Sequence, residues 1–328
     1  MRLRLVLLGL CLFGACRRST QSADTVRLGL FPNLTHAPAL VALERGIFTQ
    51  ALGSVKLETK AFSAGPEAME AIYAGALDAC FIGPIPALNG YLRSDGRALK
   101  IVAGAASGGA ALVVQADSPI VGAKDLAGKK LASPQLGNTQ DLALRHYLER
   151  NGLKTKEQGG DVQIVPIANA DTLQLMRAKQ LDGAWVPEPW VTRLLHEAGG
   201  RILVDERDLW PDRKFPITVL VVSQKFLEAQ PQLVEKLVRA HVENLTWMAS
   251  HADEVRTLLP KALLKLGQKA LPPEIIDEAL KRIDFTSDPM PAALMQLASD
   301  ARKLGYMPAA GKPEEALDLR FVKGSGTP

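Results

Sequence analysis

The chain has 328 residues, 47% of them hydrophobic and 23% charged, with a formal net charge of +4. This composition excludes a disordered polyelectrolyte and leaves enough apolar chain for two globular cores. A charge so small and so scattered excludes an extended nucleic-acid surface, so the expected partner is a small molecule.

The N-terminus reads as a leader. Met1-Arg2-Leu3-Arg4 is a basic start, and Leu5 to Phe13 is an apolar run too short to span a bilayer as a mature helix, so residues 1–15 are expected to be a signal peptide. Phe13-Gly14-Ala15-Cys16 resembles the bacterial lipobox, with Phe13 where leucine is usual. Cleavage before Cys16 and lipidation of its thiol are expected, with residues 16–24 as a linker to the membrane. The alternative is ordinary cleavage near Ala15 or Ala23 without lipid; either route takes the protein out of the cytoplasm. Cys11 and Cys16 lie in this segment, which leaves Cys80 without a disulfide partner, a small residue in an apolar run that reads as core.

Beyond the leader, short apolar runs rich in Val and Ile alternate with segments of helical periodicity, the pattern of an α/β fold. Strands are expected at Val26–Leu30, Val55–Phe62, Leu77–Ile82 and Leu99–Ala103, with helices at Pro38–Gly46, Pro66–Gly75 and Ile85–Arg93 between them. Gly104 to Ala110 is a run of small residues suited to a crossover or hinge. The unit then restarts, with strands at Ala111–Gln115, Lys129–Ala132, Val162–Pro166, Gly183–Val186, Arg201–Val204 and Thr218–Ser223. The intervening helices are Thr139–Asn151, Asp171–Gln180 and Trp190–Ala198. The rest is mostly helical: Pro231–Ser250, Ala252–Leu266 broken or kinked at Pro260, and Pro273–Ile283.

Two such units joined by a small-residue crossing place a ligand between them, where strand carboxyl ends and helix N-termini face one crevice. Four segments supply candidate contacts. In Ser133 to Asp141, Gly137-Asn138-Thr139 opens a helix, with Asn138 as the cap and Asp141 at capping-box spacing, a ready anion site or simply a well-capped helix. Phe31 to Pro38 puts a polar cluster with His36 after the first strand, where the imidazole either donates to an anion or is merely solvated. Ser63-Ala64-Gly65-Pro66 and Gly83-Pro84-Ile85-Pro86 allow close backbone approach, or are only turns. Trp185-Val186-Pro187-Glu188-Pro189-Trp190 holds one carboxylate between two prolines; Glu188 needs either a ligand ammonium or a basic residue of the opposite lobe, and Trp185 can simply fill the core.

Catalytic signatures are missing: no Gly-x-Ser-x-Gly, no His-Glu-x-x-His, no phosphate loop and no cysteine pair for zinc, while the five histidines are spread along the chain. No enzyme, cofactor or metal site is therefore expected.

From about Thr25 to Leu266 the chain resembles the aliphatic sulfonate, taurine and nitrate group of substrate-binding proteins of ATP-binding-cassette (ABC) transporters. The matching stretches are Ala37-Pro38 with Gly46-Ile47-Phe48, Gly75 to Asp78, Gly83 to Pro86, Gly128 to Ala132, Ser133 to Asp141, and Ala184 to Trp190. The resemblance implies a periplasmic-binding-protein type II (Venus flytrap) fold: two α/β lobes with a ligand cleft between them, one from residues 25–106 and 218–328, the other from 107–217. It implies a monomer that delivers its ligand to a membrane permease. Ligand contacts carry over to Asn33, His36, Ala64, Gly65, Gly83, Pro84, Gly137, Asn138, Thr139, Trp185 and Glu188. The expected ligand is a small anion or zwitterion, an aliphatic sulfonate or taurine, with nitrate, bicarbonate or a pyrimidine as alternatives and an extracytoplasmic enzyme or sensor as the competing class. Relatives of this fold that make a pyrimidine carry a cysteine-rich motif, which this sequence lacks.

Overall fold

The structure, a computed structural model, describes residues 24–323, so the leader and Cys16 lie outside the described residues. It is built on two mixed sheets. The first contains β1 (Thr25–Leu30), β2 (Lys56–Ala61), β3 (Ala79–Ile82), β4 (Leu99–Gly108), β10 (Pro216–Ser223) and β11 (Ile283–Phe285), in the order β11-β4-β10-β3-β1-β2. The second contains β5 (Ala110–Gln115), β6 (Lys130–Ser133), β7 (Gln163–Pro166), β8 (Gly183–Pro187) and β9 (Gly200–Asp205), in the order β7-β6-β8-β5-β9. β1 pairs in parallel with β2 and β3, and β6 with β7 and β8, while β10 and β5 run antiparallel to their neighbours.

Side chains alternate faces along each strand, and both faces of each sheet are covered. In β10, Leu220 and Val222 join the core beneath helices Ala37–Glu44 and Pro231–Ser250, whereas Val219 and Val221 join the core beneath Pro84–Arg93 and Pro291–Lys303. In β8, Ala184 and Val186 face one core and Trp185 the other. Cys80 is fully buried, and burial pushes its thiol up beyond the usual range.

The chain changes sheets at Gly109, between β4 and β5, and returns through the turns Glu206–Leu209 and Pro211–Arg213 to β10. Gly108 and Gly109 have φ of 76° and 74°, and a Cβ on Gly108 would sit 2.6 Å from the Arg282 carbonyl oxygen, so glycine is required there. The crossing falls at the end of the small-residue run: β4 continues through it to Gly108, and Gly104 is small because a Cβ would lie 2.3 Å from the Asp288 carbonyl oxygen.

Several elements escape the sequence reading. Ile47–Leu52, Gln224–Ala229, Pro291–Lys303 and Arg320–Lys323 are helices, and Ile283–Phe285 is a strand that begins at the last residue of the expected helix Pro273–Ile283. Its backbone pairs with β4, a long-range bond that local periodicity does not register. Helix Ala252–Lys265 passes through Pro260 without a break.

Candidate functional site

The carboxyl ends of the parallel strands β1, β2, β3, β6 and β7, with the end of β8, open onto one cleft between the sheets. Helix N-termini meet there from both sides: Gly65–Tyr73 and Pro84–Arg93 from the first lobe, Thr139–Arg150 and Asn169–Arg177 from the second. Each carries unpaired N–H groups and the positive end of its dipole. The Thr139–Arg150 start is held rigidly. Asn138 Oδ1 accepts from Asp141 N at 2.8 Å, and Asp141 accepts from Gly137 N at 2.9 Å and Ser133 Oγ at 2.7 Å and pairs with Arg145 at 3.0 Å.

The wall presents donors. Asn33 Oδ1 is occupied by Trp190 Nε1 at 3.1 Å, and Asn138 Oδ1 by the cap, so both amides offer their NH2 groups. Thr139 Oγ1 is buried with no partner, as is Asn169 Oδ1. Ser63, Gln140 and Asn169 complete the polar lining, with Phe31, Pro86, Pro134 and Pro187 as apolar walls; among the described residues no charged side chain lines the cleft. As it stands the cleft encloses only about 30 Å³, because the lobes are in contact: a Cβ on Gly83 would lie 2.5 Å from Thr139 Oγ1.

Of the residues expected from sequence, Asn33, Ala64, Gly65, Gly83, Asn138 and Thr139 share this wall. His36, Pro84, Gly137, Trp185 and Glu188 lie off it. The buried His36 ring accepts from Phe31 N at 3.3 Å through Nδ1 and is pushed down to about 3 by burial, so it is neutral and shapes the loop. Pro84 sits one residue behind the wall, and the Gly137 N–H is spent on Asp141. Trp185 is buried beneath the second sheet, its indole N–H donating to Glu206 at 2.7 Å; odd and even residues of β8 face opposite cores, so this ring cannot also reach the cleft. Glu188 is fully buried and pushed up to about 7, chiefly by burial. Its carboxylate accepts from Thr192 N and Oγ1 and from Arg282 Nη1 at 3.0 Å, so its partner is a basic residue that precedes β11 of the first sheet.

Sequence reasoning missed Asn169 altogether. The available signal was a polar residue a few positions beyond a strand and opening a helix, the same signal that marked Asn138.

Residues 19–261 match the NMT1-like family. Among curated proteins, the chain is 28% identical over 232 residues to a putative binding protein of Brucella abortus, covering 70% of this chain and 66% of that relative, just under two thirds of its length. It is 25% identical to a putative aliphatic sulfonates-binding protein of Bacillus subtilis, across 95% of this chain and 92% of the relative. Among solved structures, the alkanesulfonate-binding protein SsuA from Xanthomonas axonopodis pv. citri, bound to MOPS, superposes with a TM-score of 0.76 at 19% identity, covering 90% of this chain and 98% of SsuA. At that identity the likeness speaks for the fold, that of the periplasmic binding proteins. With a matched span covering well over half of its length, the chain belongs to the NMT1-like family.

Proposed function

We propose that the protein is the extracytoplasmic solute-binding component of an ABC importer, closing its lobes on a small oxyanion, an aliphatic sulfonate, and passing it to a membrane permease. One observation carries this reading: the cleft converges helix N-termini and side-chain donors, with Asn33 and Asn138 already accepting through their amide oxygens, and among the described residues no carboxylate lines it to repel an anion. Neutral donors and helix dipoles suffice to hold an oxyanion out of water. Phe31 and the prolines supply a wall for a carbon tail. The relatives named above are binding proteins, which supports a binding role rather than an enzymatic one.

Glu188, the carboxylate that would hold a zwitterion's ammonium, is paired with Arg282, so taurine loses its partner and a plain sulfonate is preferred. Nitrate or bicarbonate is the second reading, favoured by the small enclosed volume. A thermal-shift and calorimetric screen with ethanesulfonate, taurine, nitrate, bicarbonate, a phosphonate and a pyrimidine is expected to give the largest stabilisation with ethanesulfonate. Thr139→Val, which removes a hydroxyl donor and keeps its shape, is expected to cost about 1–3 kcal/mol of binding with little effect on folding. Stabilisation by the pyrimidine alone, or unchanged affinity in Thr139→Val, would sink the oxyanion reading. We further propose that a lipid on Cys16 anchors the protein; Cys16→Ser is expected to shift it from the membrane to the soluble fraction without changing ligand affinity, and continued membrane partitioning would refute the anchor.

A further inference from the structure

A larger cavity, of about 460 Å³, is built partly on the same two helices as the cleft, Pro84–Arg93 and Thr139–Arg150, but among the described residues shares no lining residue with it. Its walls come from helix Thr139–Arg150 of the second lobe, helices Pro84–Arg93 and Pro291–Lys303 of the first, and the returning segment Glu206 to Pro211. Leu142, Tyr147, Trp210, Leu297 and Leu304 make it largely apolar, and its volume is that of a small-molecule site.

Its polar groups do not balance. Glu206, 1% exposed, receives the Trp185 indole N–H at 2.7 Å, and among the described residues no Lys, Arg or His pairs with it. Burial, helped by neighbouring Asp205, pushes its carboxyl up to about 8. A second buried carboxylate, Asp300, accepts from Gln296 Nε2 at 2.9 and 3.0 Å, lies 3.5 Å from His146 Nε2 and has its own cation in Lys303 at 3.4 Å, which leaves Glu206 as the carboxyl without one. The same imidazole has its Nδ1 buried without a hydrogen-bond partner, and burial lowers its affinity for a proton, so it contributes little positive charge at neutral pH. Arg150 is the remaining basic residue of the lining and is exposed. A buried carboxyl at the wall of an apolar chamber, without its own cation, is the arrangement that an incoming cation completes. The faces of Tyr147 and Trp210 favour the same kind of ligand.

We propose that this cavity is a second ligand site, separate from the cleft, that takes a small organic cation: a protonated amine on an apolar or aromatic body, its ammonium directed to Glu206 and its body against Tyr147, Trp210 and Leu297. The assignment does not depend on which anion the cleft takes.

The test is calorimetry on the full-length protein at pH 8.5, where Glu206 is mostly ionised and an alkylammonium still carries its proton, with phenethylamine, phenethyl alcohol as the uncharged body and 3-phenylpropionate as the opposite charge. The amine is expected to bind at least tenfold more tightly than the alcohol, and the acid not to bind. Glu206→Gln is expected to weaken the amine at least tenfold. Ala143→Trp, which fills the chamber from its helix wall without touching a charge, is expected to abolish binding while circular dichroism stays native, and it carries the test if Glu206→Gln does not fold. Equal affinity for amine and alcohol, no heat with the amine, or undiminished binding in Ala143→Trp would each overturn the proposal. So would loss of amine binding in Thr139→Val with retention in Ala143→Trp, which would put the amine in the cleft.

Discussion

At the scale of single residues, Glu206 shows how an environment sets a protonation state and how stability follows from it. The folded state holds this carboxyl at about 8, well above the ordinary 4.5, because burial penalises the charge and the indoles of Trp185 and Trp210 repay only part of that penalty. A raised folded-state value stabilises below pH 4.5, and that stabilisation is lost as pH rises through about 8. The melting temperature is therefore expected to fall between pH 7 and pH 9, with Glu188, held at about 7, contributing in the lower part of that range and Glu206 in the upper part. Glu206→Gln, which still accepts from Trp185, should flatten that fall and compare better with the parent protein at pH 9 than at pH 5. A differential scanning series across this range decides it: equal slopes in both proteins would mean that Glu206 is ionised throughout.

Among the elements, helices Trp190–Ala198 and Pro273–Leu280 are one pair that packs across the two lobes. Arg282, just past the second of them, bonds Glu188 Oε1 and Thr192 Oγ1 at 3.0 Å each, as well as Glu278 at 2.7 Å. Glu278 also meets His196 of the first helix at 2.6 Å. Removing the guanidinium strands a fully buried carboxylate, so Arg282→Met is expected to cost about 3–5 kcal/mol in urea unfolding at neutral pH. The cost should shrink at pH 5, where Glu188 can be neutral, and adding Glu188→Gln should recover part of it. A loss independent of pH and of the second substitution would show that Arg282 contributes packing rather than charge.

For the whole molecule, the two sheets meet across a cleft of about 30 Å³, which admits no sulfonate without lobe opening. Solution scattering is expected to show a wider particle without ligand and compaction on adding the sulfonate that binds. The tightest point of closure is Gly83 against Thr139, where a Cβ would approach Oγ1 to 2.5 Å. Gly83→Ala should therefore keep the lobes apart, abolish the compaction and weaken binding at least tenfold while leaving each lobe folded. Compaction of Gly83→Ala equal to that of the parent protein would show that the lobes close along a different line.

The alternation of strands and helices, the restart of the unit after β4, the burial of Cys80 and the capped start at Asn138 were all legible in the amino-acid order. These follow from periodicity and local hydrogen bonding within a few residues. Asn33, Gly65, Gly83 and Thr139 were legible as site residues for a related reason, since a polar or small residue between a strand and a helix must lie at a strand's carboxyl end. Long-range contacts alone decided the rest. Trp185 points into a core because β8 is covered on both faces, and Glu188 is spoken for because Arg282, 94 residues away, reaches it. The short strand β11 exists only because β4 offers it an edge, and Glu206 faces a chamber whose opposite wall is a C-terminal helix that no local signal announced. Sequence patterns report which face of an element is apolar; what that face meets is fixed only when distant elements pack against it.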